Sequence, residues 1–434
     1  MGGVYLEWKR SVAFARRPHE CGLPGITSIR NPLALLLVSC LLSCAGAVAA
    51  PSDPEAPVSI RAFGTLGLAH NSTDQAEFVR DFLQPEGVGN AWSGNVDSRL
   101  GVQVNARPTQ AIEAVIQATS SYNYAGSYRP ELTWAFVSYS PSADFKARIG
   151  RLGWDVYMIS DTRNVGYSYL WVRPPVDYFG PLQISHIDGA DVVVKHELGG
   201  GLISGKVYMG WANQRVPTPL GDDIDLAGSR VSGVNLGFRK GDWQLHAGYT
   251  AARIKKEVPG VGPLLAALHG TGFPGALQLA DDVAFAGKSI HLASIGAVFD
   301  RGPWQSQLMF SRNRSTSLVW PTKTSGYFLL GYRTGQWTPF LSLSRTRSRT
   351  VQRATGLPTP NPLDDAVAVT LASSQSRQHT TSLGVRYDFM RNLDLKLQVD
   401  RIQVQDHAAL LWRNAQPGWN GRATVVSLTL DFAF

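Results

Sequence analysis

From Val58 onward the chain alternates apolar and polar positions in blocks of about ten. In the first block Val58, Ile60, Ala62, Leu66 and Leu68 share one parity, against Ser59, Arg61 and Thr65. In the last, Val426, Leu428, Leu430, Phe432 and Phe434 share a parity, against Ser427, Thr429, Asp431 and Ala433. Side chains on an extended backbone point to opposite faces in turn, so a period of two predicts a strand with one apolar and one polar face. The same reading predicts strands over 58–70, 95–106, 110–122, 132–140, 145–151, 188–198, 202–213 and 230–239. It continues over 242–254, 288–299, 304–313, 323–333, 336–347, 377–389, 393–405 and 422–434, giving sixteen in all.

The connections sort into two kinds. Short turns such as Gly199-Gly200, Lys240-Gly241, Thr334-Gly335 and Arg391-Asn392 alternate with long polar stretches, and both ends of the strand series fall on the short-turn side. Gly and Asn in such turns are hairpin signals. Uniform strands joined alternately by short and long connections, in even number, predict an all-β transmembrane antiparallel β-barrel of about sixteen strands. Only closure satisfies every backbone group of a strand in lipid. A soluble sandwich would bury its apolar faces on one another and gives no reason for the strict alternation of connections. Strand ends carry Trp134, Trp243, Trp304, Tyr332, Trp337 and Phe389, as interfacial girdles do. Within the long connections, Phe78, Val79, Phe82 and Leu83 fall at helical spacing over 74–84, which a short helix in the first loop or a contact across subunits would explain. The apolar stretch 258–287 predicts a short helix or plug, or packing against neighbouring loops or subunits.

Composition narrows the picture. Charged residues are 17% of the 434 and the mean hydropathy is −0.09, which argues against a helical membrane protein with its runs of about 20 apolar residues. Residues 1–49 read as a signal peptide, with Lys9, Arg10, Arg16, Arg17 and Arg30 ahead of an apolar run that ends in Ala47-Val48-Ala49. Residues 50–434 then form the barrel. Leu37-Val38-Ser39-Cys40 fits a lipobox but would halve the apolar run. All three cysteines (Cys21, Cys40, Cys44) precede residue 50, which leaves no disulfide framework or thiolate metal site beyond it. The net charge is +8, spread without a basic cluster, so nucleic acid is not an expected partner. No GxSxG, HExxH or P-loop pattern occurs, and no enzyme activity or cofactor is expected. His291 and His379 share the outward parity and read as interfacial.

The first strand Ile60-Arg61-Ala62-Phe63-Gly64-Thr65-Leu66-Gly67, the long loop after the fifth strand and the aromatic Phe434 together resemble the general porins of Gram-negative outer membranes. The resemblance implies a homotrimer in the outer membrane, surrounded by lipid and lipopolysaccharide. It implies a water-filled channel for passive diffusion of small hydrophilic solutes and ions. It also implies that the third loop, 152–187, folds inward and narrows the pore. That loop carries Asp155, Asp161, Arg163, Arg173 and Asp177 among many aromatics; the family's Pro-Glu-Phe-Gly-Gly loop motif is absent, which points to a different solute preference. Pore-lining and constriction candidates are Arg61, Arg99, Glu113, Arg148 and Arg151 on the wall, with those five loop residues. By parity the lumen holds Arg61, Arg99, Lys146, Arg148, Lys195, Lys206, Arg386 and Lys396 against Glu113, Asp191, Asp388 and Asp400. This reads as a hydrated mixed-charge lumen, or more sharply as a mild anion preference. The alternatives are a channel selective for organic or phosphate-like anions and a non-conducting structural or adhesive barrel.

Overall fold

The computed structural model describes residues 56–160, 162–182, 184–217 and 223–434, with the backbone alone at His407. The expected signal peptide and Asp161 lie outside the described residues. Sixteen strands close one barrel: β1 (Val58–Asn71), β2 (Arg99–Ala106), β3 (Ile112–Ser121), β4 (Glu131–Ser142), β5 (Phe145–Gly153), β6 (His186–Leu198), β7 (Gly201–Ala212) and β8 (Ser229–Lys240). They continue with β9 (Trp243–Arg253), β10 (Ser289–Arg301), β11 (Trp304–Ser315), β12 (Lys323–Tyr332), β13 (Trp337–Ser348), β14 (Ser376–Met390), β15 (Leu393–Ala409) and β16 (Arg422–Ala433). Every neighbouring pair whose register is given is antiparallel, and β1 pairs with β16, Thr65 opposite Asp431, to close the ring. The fold is the one that the alternation implies.

The two parities sort as the pattern requires. On β16, Ser427, Thr429 and Asp431 are fully buried inside while Leu428 is exposed outside. On β11, Gln305, Gln307, Ser311 and Asn313 face in, and Leu308 and Phe310 face out. An outward apolar band over an inward polar face is the inverse of a soluble barrel and suits a hydrocarbon surround. At the short-turn end the outward aromatics pair across strands: Trp243 with Phe299 and Trp304 with Tyr332, each at 4.8 Å between centroids, and Trp337 with Tyr387 at 4.1 Å. The short turns take the backbone that their residues permit, with Asn392 at φ 67° and Gly241 at φ 56°.

Among the described residues the long connections hold four α-helices: α1 (Val176–Phe179), α2 (Gly262–Gly270), α3 (Pro274–Val283) and α4 (Pro362–Ser373). The apolar stretch 258–287 is thus helical. Leu264, Leu268, Leu279 and Val283 pack with Val367 and Leu371 of α4, so it is covered by a neighbouring loop. The helix expected over 74–84 does not form. Glu77–Phe78 instead pairs with Trp412–Arg413, Phe78 stacks edge-on against Trp412 at 5.6 Å, and the Phe82 amide bonds to Gly180 O. These long-range partners take the backbone groups that a helix would have used internally. The strand expected from residue 95 begins at Arg99, because the Asn95 and Val96 carbonyls accept from the Gln84 side chain.

Candidate functional site

The segment between β5 and β6, residues 154–185, is the most aromatic of the long connections. Its Trp154, Tyr157, Tyr169, Trp171, Tyr178 and Phe179 are all buried. Tyr157 and Tyr178 sit 4.4 Å apart, and Tyr178 and Trp171 meet the inward Tyr327 of β12 edge-on at 5.1 and 5.7 Å. Edge-to-face packing at these separations is favourable beyond area alone.

Polar anchors tie the segment to inward side chains around much of the barrel. Near its start, Lys206 of β7 reaches Asp155 at 3.2 Å, Asn235 of β8 donates to Asp155 O at 2.6 Å, and Ser294 of β10 donates to Val156 O at 3.2 Å. Midway, Lys396 of β15 donates to Gly166 O at 2.7 Å, and Arg386 of β14 to Tyr167 O and Tyr169 O at 2.9 and 3.1 Å. Gly166 lies so close to the seam strands that a Cβ there would overlap Asp431 Oδ1 and Thr65 Oγ1; only glycine fits. Near the end, the Val172 amide donates to Gln398 Oε1 at 2.9 Å. Arg173 grips Asp97 at 2.5 and 2.9 Å, Asp400 at 3.0 Å, and Ser427. Asp177 accepts from Ser344 at 2.6 Å and from Gln378. Burial pushes the Asp177 carboxyl above its ordinary range, opposed by those hydrogen bonds.

The charged candidates fall into groups. Arg148 holds Asp191 in a bidentate pair; Asp191 also meets Lys206 at 3.3 Å, and Lys206 leads to Asp155. Arg99 donates to the Arg163 carbonyl at 3.2 Å, as Arg80 does at 3.0 Å. The Arg163 guanidinium reaches Ile184 O at 3.5 Å, and its burial lowers its pKa. Arg173 and Asp177 use adjacent walls. Arg61 and Glu113 stand apart towards the short-turn end, where Glu113 accepts from Asn105 and Arg107 at 3.0 and 3.1 Å. Arg151 is a correction. It shares the outward parity of Ile149 and pairs with Asp188 at 2.7 Å near the long-loop rim, so it does not line the lumen.

The tally of inward charge also changes. Asp394 and Asp431 are wholly buried on the inward face, where Lys396 meets them at 3.6 and 3.0 Å and Arg386 meets Asp394 at 3.0 Å. Asp97, outside any strand, carries Arg173 and lies 3.6 Å from Arg80. Much of the expected positive excess is thus matched by acids. Parity alone would have found Asp394 and Asp431, since they alternate in step with Lys396 and Thr429. Nothing local marks Asp97 or Arg80. Among the described residues, no cluster of His, Cys, Asp and Glu could hold a metal ion.

Comparison with protein-family models finds no match, and comparison with curated proteins finds none in sequence. Solved structures do match. The chain is similar to OmpF of Salmonella typhi, solved with daunomycin, at TM-score 0.54 and 9% identity, over 87% of this chain and 97% of that one. It is similar to an anion-selective porin from Comamonas acidovorans at 0.51 and 13%, over 87% and 100%. It is also similar to OmpT, an outer membrane protein of Vibrio cholerae, at 0.51 and 11%, over 88% and 99%; that protein is also solved in a trimer form. The protein has the fold of the sixteen-stranded porins.

Proposed function

We propose that the protein is a porin of the Gram-negative outer membrane, a channel through which small hydrophilic solutes and ions diffuse passively, and that it has no catalytic role. One observation carries this reading: a closed barrel, apolar outside and polar inside, with the segment 154–185 bonded to its inward side chains. In this reading that segment is the constriction and the wall charges line the path. Homotrimeric assembly, with lipid and lipopolysaccharide around it, is part of the same proposal, supported by the trimer form of the Vibrio relative. Planar-bilayer recording tests it: discrete open levels are expected, and a protein that inserts without conducting would overturn it.

A second reading has its own observation. The segment bonds to β7, β8 and β10 near its start and to β13–β16 near its end, so it spans a wide arc of the wall. That favours a narrow, solute-selective passage over a wide general one. Liposome swelling separates the two. A general porin passes sugars in order of size, whereas a selective one passes organic or phosphate-like anions faster than neutral sugars of equal size.

A further inference from the structure

Lys323 is a buried cation with no counter-charge. Its side chain turns into the barrel at the long-loop end of β12 and is 3% exposed. Other buried cations find oxygen. Arg148, Arg173, Lys206, Arg386 and Lys396 each reach a carboxylate, and Arg99 and Arg413 reach backbone carbonyls. Among the described residues the Lys323 ammonium has neither a hydrogen-bond partner nor an ion pair. It lies over the face of Trp320, 4.8 Å from the ring centroid.

Two more polar atoms at the same place are unpartnered among the described residues. Asn313 of β11 stands directly opposite Lys323, turned inward and 8% exposed, and its Oδ1 accepts no hydrogen bond. Trp320 is 7% exposed, and its Nε1–H donates none. The neighbours are already engaged or apolar. Ser348, opposite Lys323 on β13, bonds to Ser376, and Ser325 bonds to Thr346. Leu292 of β10 stands opposite Asn313, and Phe82 and Phe285 pack on Trp320 at 6.5 and 6.3 Å. Burying a charge or a polar group without a partner is costly, and a cation–π contact offsets only part of the cost. Three such atoms in one place specify a ligand by complement. They offer two donors, one of them charged, and one acceptor. The matching ligand is small and anionic, with two acceptor oxygens and one proton to donate.

We propose that Lys323, Asn313 and Trp320 form a binding site for a hydrogen-bearing oxyanion of the size of bicarbonate. Two of its oxygens accept from the ammonium and the indole N–H, and its hydroxyl donates to Asn313 Oδ1. A water molecule in the same place would satisfy the hydrogen bonds but leave the charge uncompensated. The turn 316–322, which carries Trp320, is tied to α3: Ser317 Oγ donates to Val283 O at 3.2 Å, and the Leu318 amide to Asp282 O at 2.8 Å. The bound ion therefore fastens the helical cap of α2–α4 to β11 and β12. It is a resident of the wall and not a solute in passage, so the proposal goes beyond the channel reading.

The test measures the heat-modification midpoint of the detergent-purified barrel at mildly alkaline pH and constant ionic strength. Chloride is replaced stepwise by bicarbonate or by nitrate. Nitrate is planar and singly charged like bicarbonate but has no proton to donate. The midpoint should rise with bicarbonate and stay level with nitrate. Line broadening of isotopically labelled bicarbonate gives the affinity directly. Asn313→Leu should weaken it about tenfold, the worth of one hydrogen bond, and erase the preference over nitrate. Lys323→Met should abolish the response. In chloride alone it should match or exceed the wild-type midpoint, because it removes an unpaired buried charge. Lys240→Met, at the short-turn rim, should respond as wild type does. A wild-type barrel indifferent to bicarbonate would mean that water fills the site. An equal rise with nitrate would mean a general salt effect, and a K323M barrel that still responds would place the binding elsewhere. Each of these overturns the proposal. If K323M does not fold, the wild-type contrast between the two ions and its loss in N313L decide.

Discussion

Arg173→Met is the sharpest perturbation of the loop anchors. The Arg173 side chain is 1% exposed, between Asp97 at 0% and Asp400 at 5%. Removing one partner of a buried ion group costs about 3–5 kcal/mol, because the remaining charge is stranded. Here the lower end applies. Asp97 keeps Arg80 at 3.6 Å, and Asp400 keeps a hydrogen bond from Gln398 at 2.7 Å. A loss of about 3 kcal/mol is roughly a hundredfold in the ratio of docked to undocked loop. The other anchors, at Gly166, Tyr167 and Asp177, hold the loop most of the time, so the expected phenotype is brief excursions and not a permanently altered pore. In single-channel records the variant should show added open-level noise and a second conductance level absent from wild type. Replacing all three charges, as Arg173→Met with Asp97→Asn and Asp400→Asn, removes the stranded acids and should restore quiet traces, since neutral replacement of a buried ion group is often tolerated. Traces of R173M indistinguishable from wild type, with unchanged heat-modification on a gel, would refute the claim that this clamp holds the loop.

Three further outcomes are expected. Gly166→Ala should push the loop off the seam and break the Lys396 contact, raising conductance while the barrel stays folded; unchanged conductance would count against close packing there. Asp177 has a raised carboxyl pKa, so the folded protein holds its proton more tightly than the unfolded chain does. The stability contributed is present at low pH and is lost as pH rises through the folded value. Asp177→Asn should therefore flatten the decline in heat-modification midpoint above the ordinary carboxylate range and match or exceed wild type at neutral pH; a lower midpoint at neutral pH would refute this. Finally, Arg61 and Lys146 face the lumen with no carboxylate within ion-pair distance among the described residues, whereas Arg173 is neutralised by two acids. Arg61→Glu with Lys146→Glu should move the reversal potential in a KCl gradient towards cation selectivity, and an unchanged potential would mean that these residues lie off the path.

The sixteen strands were legible because each imposes a period of two on about ten residues, and turns of Gly and Asn punctuate them. Their ends are read to within four residues; the miss at 95–98 lies where a side chain from another loop captures the backbone, and an equal one at 406–409 is where β15 runs on past its expected end. Parity fixed which wall residues face inward, so Arg148, Asp191 and Lys206 were found before their contacts were known. It also held the answer for Arg151, whose neighbour Ile149 marks the outward face. Loop chemistry was much less legible. The helical spacing of Phe78, Val79, Phe82 and Leu83 describes residues that pack on Trp412 and Trp320 without any helix. Asp97 and Arg80 gain their roles from Arg173 and Arg163, which are 76 and 83 residues away, and no local pattern encodes a meeting over that distance.

The seam between the first and last strands has a temporal consequence. Thr65 and Asp431, hydrogen-bonded across it, are 366 residues apart, so the ring cannot close until nearly the whole chain has been delivered. Contacts of such separation are the slowest to form. The cradle for Gly166 is made of those same two residues, and Lys396 of β15 completes it by donating to Gly166 O. The loop therefore has no finished seat in an unclosed wall. It settles last, and its docked position is in effect a receipt that the cylinder has been sealed.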